Sequence, residues 1–302
     1  MYIKMLIFCN IHEYISIINI LYTINTMIPK IIHQTWKDKN LPDILQKIVN
    51  HNKNLLEKSG YEFKLWTDDD IKTLINKHYP HITMVWDAAR TGVQKGDIAR
   101  LLLLHHYGGI YMDLDILILK DFEEFPGLID LSQDKFYLSY EPEAQTVRIY
   151  NKNDYLCNAF MAANKGNEMI GYCIMHMYTL HQRFNVTIMR KFDVFGGDYI
   201  KGIYESYLSY QKDCHIIETR EQIYPINDPK FNNLPTSKTD WDLLRLRNYS
   251  DRTYVVHYWI HGDFESKNLL EDFKCNPNND VHEDVYQFFS RLYPDNAKLF
   301  NQ

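Results

Sequence analysis

The chain has 302 residues, 45% of them hydrophobic and 24% charged, with a formal net charge of −6. That length and composition describe a globular protein with a full-sized core and exclude a disordered chain. The acidic balance has the wrong sign for a surface that grips nucleic acid through its phosphates, so no nucleic-acid partner is expected.

Residues 1–26 precede the first well-formed strand. Met5–Ile24 is apolar, but Asn10, His12, Glu13 and Asn19 interrupt it, so it falls short of the roughly 20 apolar residues that span a bilayer. It also lacks the small-residue cleavage site of a signal peptide. We read 1–26 as an N-terminal extension or weak anchor and 27–302 as one domain. The expected location is the cytoplasm or the periphery of an internal membrane. The five cysteines (Cys9, Cys157, Cys173, Cys214, Cys275) are widely spaced with no C-x-x-C, so they signal neither a zinc cluster nor a disulfide framework.

From there the elements alternate. Ile28–His33 reads as a buried strand that runs out into Gln34, Thr35 and Trp36, and Leu45–Lys58 has apolar residues at helical spacing. Tyr61, Phe63 and Leu65 alternate as a second strand, and the TDDD at 67–70 caps a helix over Ile71–His78. A third helix, Val93–Tyr107, stops at Gly108-Gly109 and leads into the apolar run GGIYMDLDILIL. Further strands are expected at Phe136–Tyr140, Leu156–Ala162 and Thr253–Ile260, and a helix at Met169–Phe184. Pro225–Leu246 reads as irregular. Strands alternating with helices imply an α/β fold whose mixed, mostly parallel central sheet carries its ligand site beyond the carboxyl ends of the strands.

Asp113 and Asp115 carry the sharpest signal. On an extended strand, residues two apart share a face, so the two carboxylates would sit side by side with Tyr111. Such a pair persists at a wet strand edge or around a cation. Upstream, Asp97 and Arg100 are three apart on the third helix and share a face, either as an exposed ion pair or as part of the same site. Two carboxylates at a strand end suit a hard cation such as Mn²⁺ or Mg²⁺, completed by water and phosphate oxygens. Arginine adds a permanent cation. Trp36 can stack on a base or simply pack.

The order IPKIIHQTW, YEFKLWTDDD, KGDIARLLLLHHYGGIYMDLD and VVHYW resembles the glycosyltransferase family with a DXD sugar-binding motif, which includes Och1-like mannosyltransferases and inositol-phosphoceramide mannosyltransferases. It is more distantly similar to the glucosylating domains of clostridial toxins. The resemblance implies a GT-A fold, a nucleotide-sugar donor, a divalent metal (Mn²⁺ or Mg²⁺), retention at the anomeric carbon and a glycan or lipid acceptor. It also implies roles. Asp115 is the direct metal ligand, and Asp113 contacts the donor and the metal. Asp97 and Arg100 grip the donor sugar, Thr35, Trp36 and Tyr111 meet the nucleotide, and Asn158 faces the reacting centre or bonds at a strand end. His257 is either a third metal ligand or a satisfied core histidine. The chain departs from the family pattern at FGGDYI (195–200) and at HYWIHGDF (257–264), on the acceptor side. The expected reaction moves a hexose from a nucleotide sugar, UDP-hexose ahead of GDP-mannose. A nucleotidyltransferase and a non-catalytic nucleotide- or glycan-binding module are the alternatives.

Overall fold

The computed structural model describes residues 27–122, 128–184, 195–206, 214–217, 220–228, 238–260 and 267–300. The N-terminal segment 1–26 and the tail of the HYWIHGDF motif (261–264) lie outside the described residues.

The elements in chain order are β1 (Ile31–Thr35), α1 (Asp43–Leu56), β2 (Glu62–Trp66), α2 (Asp68–His78), α3 (Thr83–Ala88), α4 (Gly92–Tyr107), β3 (Gly109–Met112), β4 (Ile116–Ile118) and β5 (Phe136–Tyr140). They continue with α5 (Glu143–Tyr150), β6 (Leu156–Ala163), α6 (Glu168–Phe184), α7 (Gly197–Ser206), β7 (Cys214–Ile217), α8 (Lys238–Leu246), β8 (Val255–His257), α9 (Lys267–Asp272), α10 (Val281–Leu292) and α11 (Pro294–Phe300). The main sheet has the order β2-β1-β3-β6-β5-β7. Its β1–β2, β1–β3 and β5–β7 pairs are parallel, and only β6 runs against its neighbours β3 and β5. This is the mixed, mostly parallel sheet that the GT-A expectation called for. A second, two-stranded antiparallel sheet joins β4 to β8.

Side-chain alternation explains why the main sheet is apolar on both faces. Tyr111 of β3 and Met161 and Ala163 of β6 point into a core shared with α2, α3, α4 and α6, whereas Ile110, Met112, Phe160 and Ala162 point to the opposite core. Helix α4 lies between sheet and α6, so all four of Leu101–Leu104 are fully buried, where a half-exposed helix would bury about two. Each such side chain is worth roughly 1.5–3 kcal/mol relative to exposure. A third core lies under the small sheet, where Leu117, Val256 and Tyr258 meet Trp241, Phe288 and Phe289.

Two glycines set the turn from α4 into β3. Gly108 (φ 69°) and Gly109 (φ 108°) both take left-handed backbone, and a Cβ would lie 2.7 Å from Lys165 N at the first and 2.6 Å from Ile31 O at the second. His33 locks this turn. Its Nε2 donates to Gly108 O at 2.8 Å and its Nδ1 accepts from Trp66 Nε1 at 3.0 Å, a complete set of partners for a neutral ring. Burial pushes the His33 pKa down to about 4. The histidine of the HQTW stretch is therefore structural.

Three expectations change. Asp113 and Asp115 do not share a strand: β3 ends at Met112, and a tight turn with Ile116 N–H bonded to Asp113 O at 3.2 Å carries the chain into the second sheet. The late strand is three residues long rather than eight, because the backbone turns at Trp259, a non-glycine residue at φ 56°. Lys238–Leu246 is a helix, since Trp241 and Leu244, three apart, bury one face in the third core.

Asn52 of α1 fixes where β4 sits. It is fully buried, donates from Nδ2 to Ile116 O at 2.7 Å and accepts at Oδ1 from Ile118 N–H at 2.7 Å. The amide thus satisfies the edge of β4 that β8 does not. Asn52→Ala strands two buried backbone groups and is expected to cost about 2–4 kcal/mol. Urea denaturation measures this, and a loss below about 1 kcal/mol would show that β4 is held by its strand pairing alone.

Candidate functional site

The sequence-predicted residues collect around a cavity of about 810 Å³ beyond the carboxyl ends of β1, β2, β3 and β5. Thr35, Trp36, Asp97, Arg100, Tyr111, Asp113, Asp115, Asn158 and His257 all border it. The cavity lies where the crevice rule for α/β sheets places a ligand site.

Arg100 is the electrostatic centre. Its Nε donates to Gly96 O at 3.1 Å and one terminal nitrogen donates to Asn158 O at 2.7 Å. The other terminal nitrogen lies 3.5 Å from both Asp97 Oδ1 and Asp113 Oδ1, and the guanidinium stands 4.9 Å from the centre of the Tyr111 ring. Asp97 and Arg100 are only 4% and 6% exposed, which removes the exposed-ion-pair reading. Asp97 also accepts from Asn158 Nδ2 at 2.8 Å, so Asn158 bonds within this group through both side chain and backbone. Tyr111 OH accepts from Thr35 at 3.1 Å and donates to Asp113 Oδ1 at 2.8 Å. Burial pushes the Asp97 and Asp113 carboxyls up, and Arg100 draws both back down.

The second sheet supplies the other half. His257 pairs with Ile116 in β8–β4 register, which sets its ring against the D-x-D turn. Its Nε2 lies 3.2 Å from Asp115 Oδ1, and Asp115 Oδ2 accepts the Ile260 N–H at 2.6 Å. The left-handed turn at Trp259 makes that last bond, and the Trp259 ring lies 4.0 Å from the His257 ring with its Nε1 donating to Ile226 O at 2.8 Å. Burial favours a neutral imidazole, yet the adjacent Asp115 and Asp113 outweigh it and lift the His257 pKa above its ordinary value.

One ligand atom from each of Asp113, Asp115 and His257 falls within 4.8 Å of the others. Two carboxylate oxygens and an imidazole nitrogen suit Mn²⁺ or Mg²⁺, the former accepting nitrogen more readily. His257 turns its Nε2 to Asp115, and its buried Nδ1 has no hydrogen-bond partner among the described residues. The residues present therefore fit a divalent cation.

Residues 38–134 match the family described as "Glycosyltransferase sugar-binding region containing DXD motif". The similarity to this family is confined to about a third of the chain. The same part of the chain is 42% identical over 90 residues to "Inositol phosphoceramide mannosyltransferase 1" of Schizosaccharomyces pombe, covering 30% of this chain and 28% of that protein. It is 37% identical over 89 residues to "Mannosyl phosphorylinositol ceramide synthase CSH1" of Saccharomyces cerevisiae, covering 30% of this chain and 23% of that one. The matched stretch thus spans about a quarter of the length of these relatives. Among solved structures, "PaToxG Glycosyltransferase" superposes with a TM-score of 0.40 at 16% identity, covering 95% of both chains. The DXD segment contains Asp97, Arg100, Tyr111, Asp113 and Asp115, whereas Thr35, Trp36, Asn158 and His257 lie outside it.

Sequence reasoning missed Glu141 and Gln145, which follow β5. Glu141 borders the cavity, 6% exposed, and accepts from Gln145 Nε2 at 2.9 Å. The available signal was an acidic residue directly after an apolar strand, FYLSYE, the same grammar that marked Asp113. On the acceptor-side departure, Gly197 at the start of α7 abuts β6, where a Cβ would lie 1.6 Å from Leu156 O.

Arg100→Met leaves Asp97 and Asp113 facing each other without their cation and is expected to destabilise by about 3–5 kcal/mol. Without Arg100 both carboxyls move further above their unfolded values. A group with a raised folded pKa contributes stability at low pH and loses it as pH rises, so the loss will be larger at pH 8 than at pH 5. Denaturant melts of the metal-free protein at the two pH values read this difference, and equal losses would contradict it.

Proposed function

We infer that the protein is a metal-dependent glycosyltransferase that moves a hexose from a nucleotide sugar to a hydroxyl of a glycan or lipid acceptor. The observation that carries this reading is the meeting of Asp113, Asp115 and His257 beside the Asp97–Arg100–Asn158 group, on the edge of one cavity that Trp36 also borders. The match of residues 38–134 to a DXD sugar-binding family supports it and weighs against a nucleotidyltransferase.

In this reading Asp115 and Asp113, with His257, hold Mn²⁺ or Mg²⁺, which when bound neutralises charge on the diphosphate leaving group. Arg100, fixed by four partners, keeps its guanidinium pre-aligned, so no reorganisation is needed as charge develops. Asp97 and Asn158 accept and donate hydrogen bonds toward the sugar hydroxyls, and Trp36, on the β1 side, stacks on the base. Retention of anomeric configuration follows a front-face course in which the leaving diphosphate takes the acceptor proton; none of the site carboxylates in the cation set or the Arg100 group is free to act as a nucleophile. Because relatives named as mannosyltransferases match the DXD segment, we favour a mannosyl donor such as GDP-mannose over the UDP-hexose expected from sequence. No helix among the described residues is long and apolar enough to cross a membrane, so a lipid acceptor would be reached from the bilayer surface or through a segment outside them.

Purified protein should release nucleotide from one of GDP-mannose, UDP-glucose, UDP-galactose or UDP-N-acetylglucosamine in Mn²⁺, and not in EDTA. Asp115→Ala should lower that release by about 10²-fold or more. Full metal-stimulated turnover in Asp115→Ala would refute the assignment.

A further inference from the structure

Glu141 continues the edge of the sheet one residue past β5, with its backbone N–H bonded to Tyr155 O at 2.9 Å. Its Oε2 accepts from Gln145 Nε2, and Gln145 Oε1 in turn accepts the Asp228 N–H at 2.7 Å, so the amide is oriented from both ends. Oε1 of Glu141 has no hydrogen-bond partner among the described residues, and the residue borders the cavity. Every other acid on the cavity wall has an evident partner or use. Asp68 pairs with Lys95, Asp97 with Arg100, Glu271 with Lys37, and Asp113 and Asp115 belong to the cation set.

Position gives this carboxyl a meaning. Along the carboxyl edge, the strand order β1, β3, β6, β5 brings Trp36, Asp113, Asn158 and Glu141 in succession. If base, diphosphate and sugar occupy the first three stations, the fourth is where a nucleophile approaches. Burial also pushes the Glu141 pKa up to about 8, against smaller opposing pulls from Gln145 and His257, which gives the side chain an O–H to donate at neutral pH.

We propose that Glu141 binds the incoming hydroxyl, that of the acceptor sugar or of water when the donor is hydrolysed, and holds it against the anomeric carbon. This rests on the glycosyl-transfer reading above. In the step, the hydroxyl oxygen bonds to the anomeric carbon and the bond from that carbon to the diphosphate oxygen breaks. The diphosphate leaves with the electron pair and takes up the hydroxyl proton. Glu141 keeps its own proton throughout.

The test is steady-state donor hydrolysis by the full chain, using whichever nucleotide sugar the wild type cleaves. Glu141→Leu, which fills the same volume, should lower kcat about tenfold or more while donor KM and Mn²⁺ affinity stay within about twofold. Glu141→Gln keeps a neutral hydrogen-bond donor toward the cavity and should recover most of kcat, which a role as an ionised base would not allow. An unchanged kcat in Glu141→Leu, or a raised donor KM at unchanged kcat, would overturn the proposal, the second by moving Glu141 to the donor. Silence of the wild type with every donor would instead remove the transfer reading itself, and the wild-type control separates the two failures.

Discussion

A single buried guanidinium constrains the whole arrangement. Arg100 joins helix α4 to β3 through Asp113 and to β6 through Asn158 O, with Asp97 beside it. Asp97 is buried and Asp113 half-buried, and one permanent cation faces both; at an effective dielectric near 20, a contact at about 4 Å is worth about 4 kcal/mol. That geometry demands a helix returning directly onto the strand. Gly108 and Gly109 provide the return, His33 ties it down, and the four leucines of α4 hold the helix against the sheet.

The other half of the site depends on the chain leaving the main sheet. Had β3 continued through Asp115, the carboxylates would share a face but stand apart from β8. The turn at Asp113–Asp115 instead hands the chain to β4, where Asn52 and β8 satisfy its two edges. His257 then faces Asp115, and the left-handed backbone at Trp259 sends Ile260 N–H to the second carboxylate oxygen. The strained backbone at Trp259 is what delivers the Ile260 N–H to Asp115 and leaves His257 Nε2 facing the other carboxylate oxygen.

Much of this was legible in the sequence, for identifiable reasons. Strands β1, β2, β5 and β6 and helices α1, α2, α4 and α6 carry strong periodicity or clear stop signals, and the N-cap expected at TDDD is Thr67, which closes a capping box with Asp70. The crevice rule gathers Trp36, Asp113 and Asp115 at the strand ends, and the Gly108-Gly109 turn brings Asp97 and Arg100 of α4 beside them. What failed was geometry within short apolar runs. GGIYMDLDILIL has no Gly or Pro between Met112 and Ile116, and Asp113 and Asp115, which favour turns, sit in a run of strand formers, so its turn shows only once β4 pairs with β8. TYVVHYWI hides its turn behind a tryptophan, a residue that seldom takes positive φ. The α8 helix was obscured by its polar flanks. Glu141 and Asn52 carry no motif; their meaning comes from what the fold sets beside them.

The proposed mechanism needs Asp113, Asp115 and His257 to act as one divalent-cation site completed by a nucleoside diphosphate. The most direct measurement is Mn²⁺ titration followed by the electron paramagnetic resonance signal of free Mn²⁺, with and without GDP or UDP. About one Mn²⁺ per chain should bind, more tightly with one of the two nucleotides, with binding lost in Asp115→Asn and weakened in His257→Gln. Mn²⁺ binding that is absent, or that persists unchanged in Asp115→Asn, would contradict it.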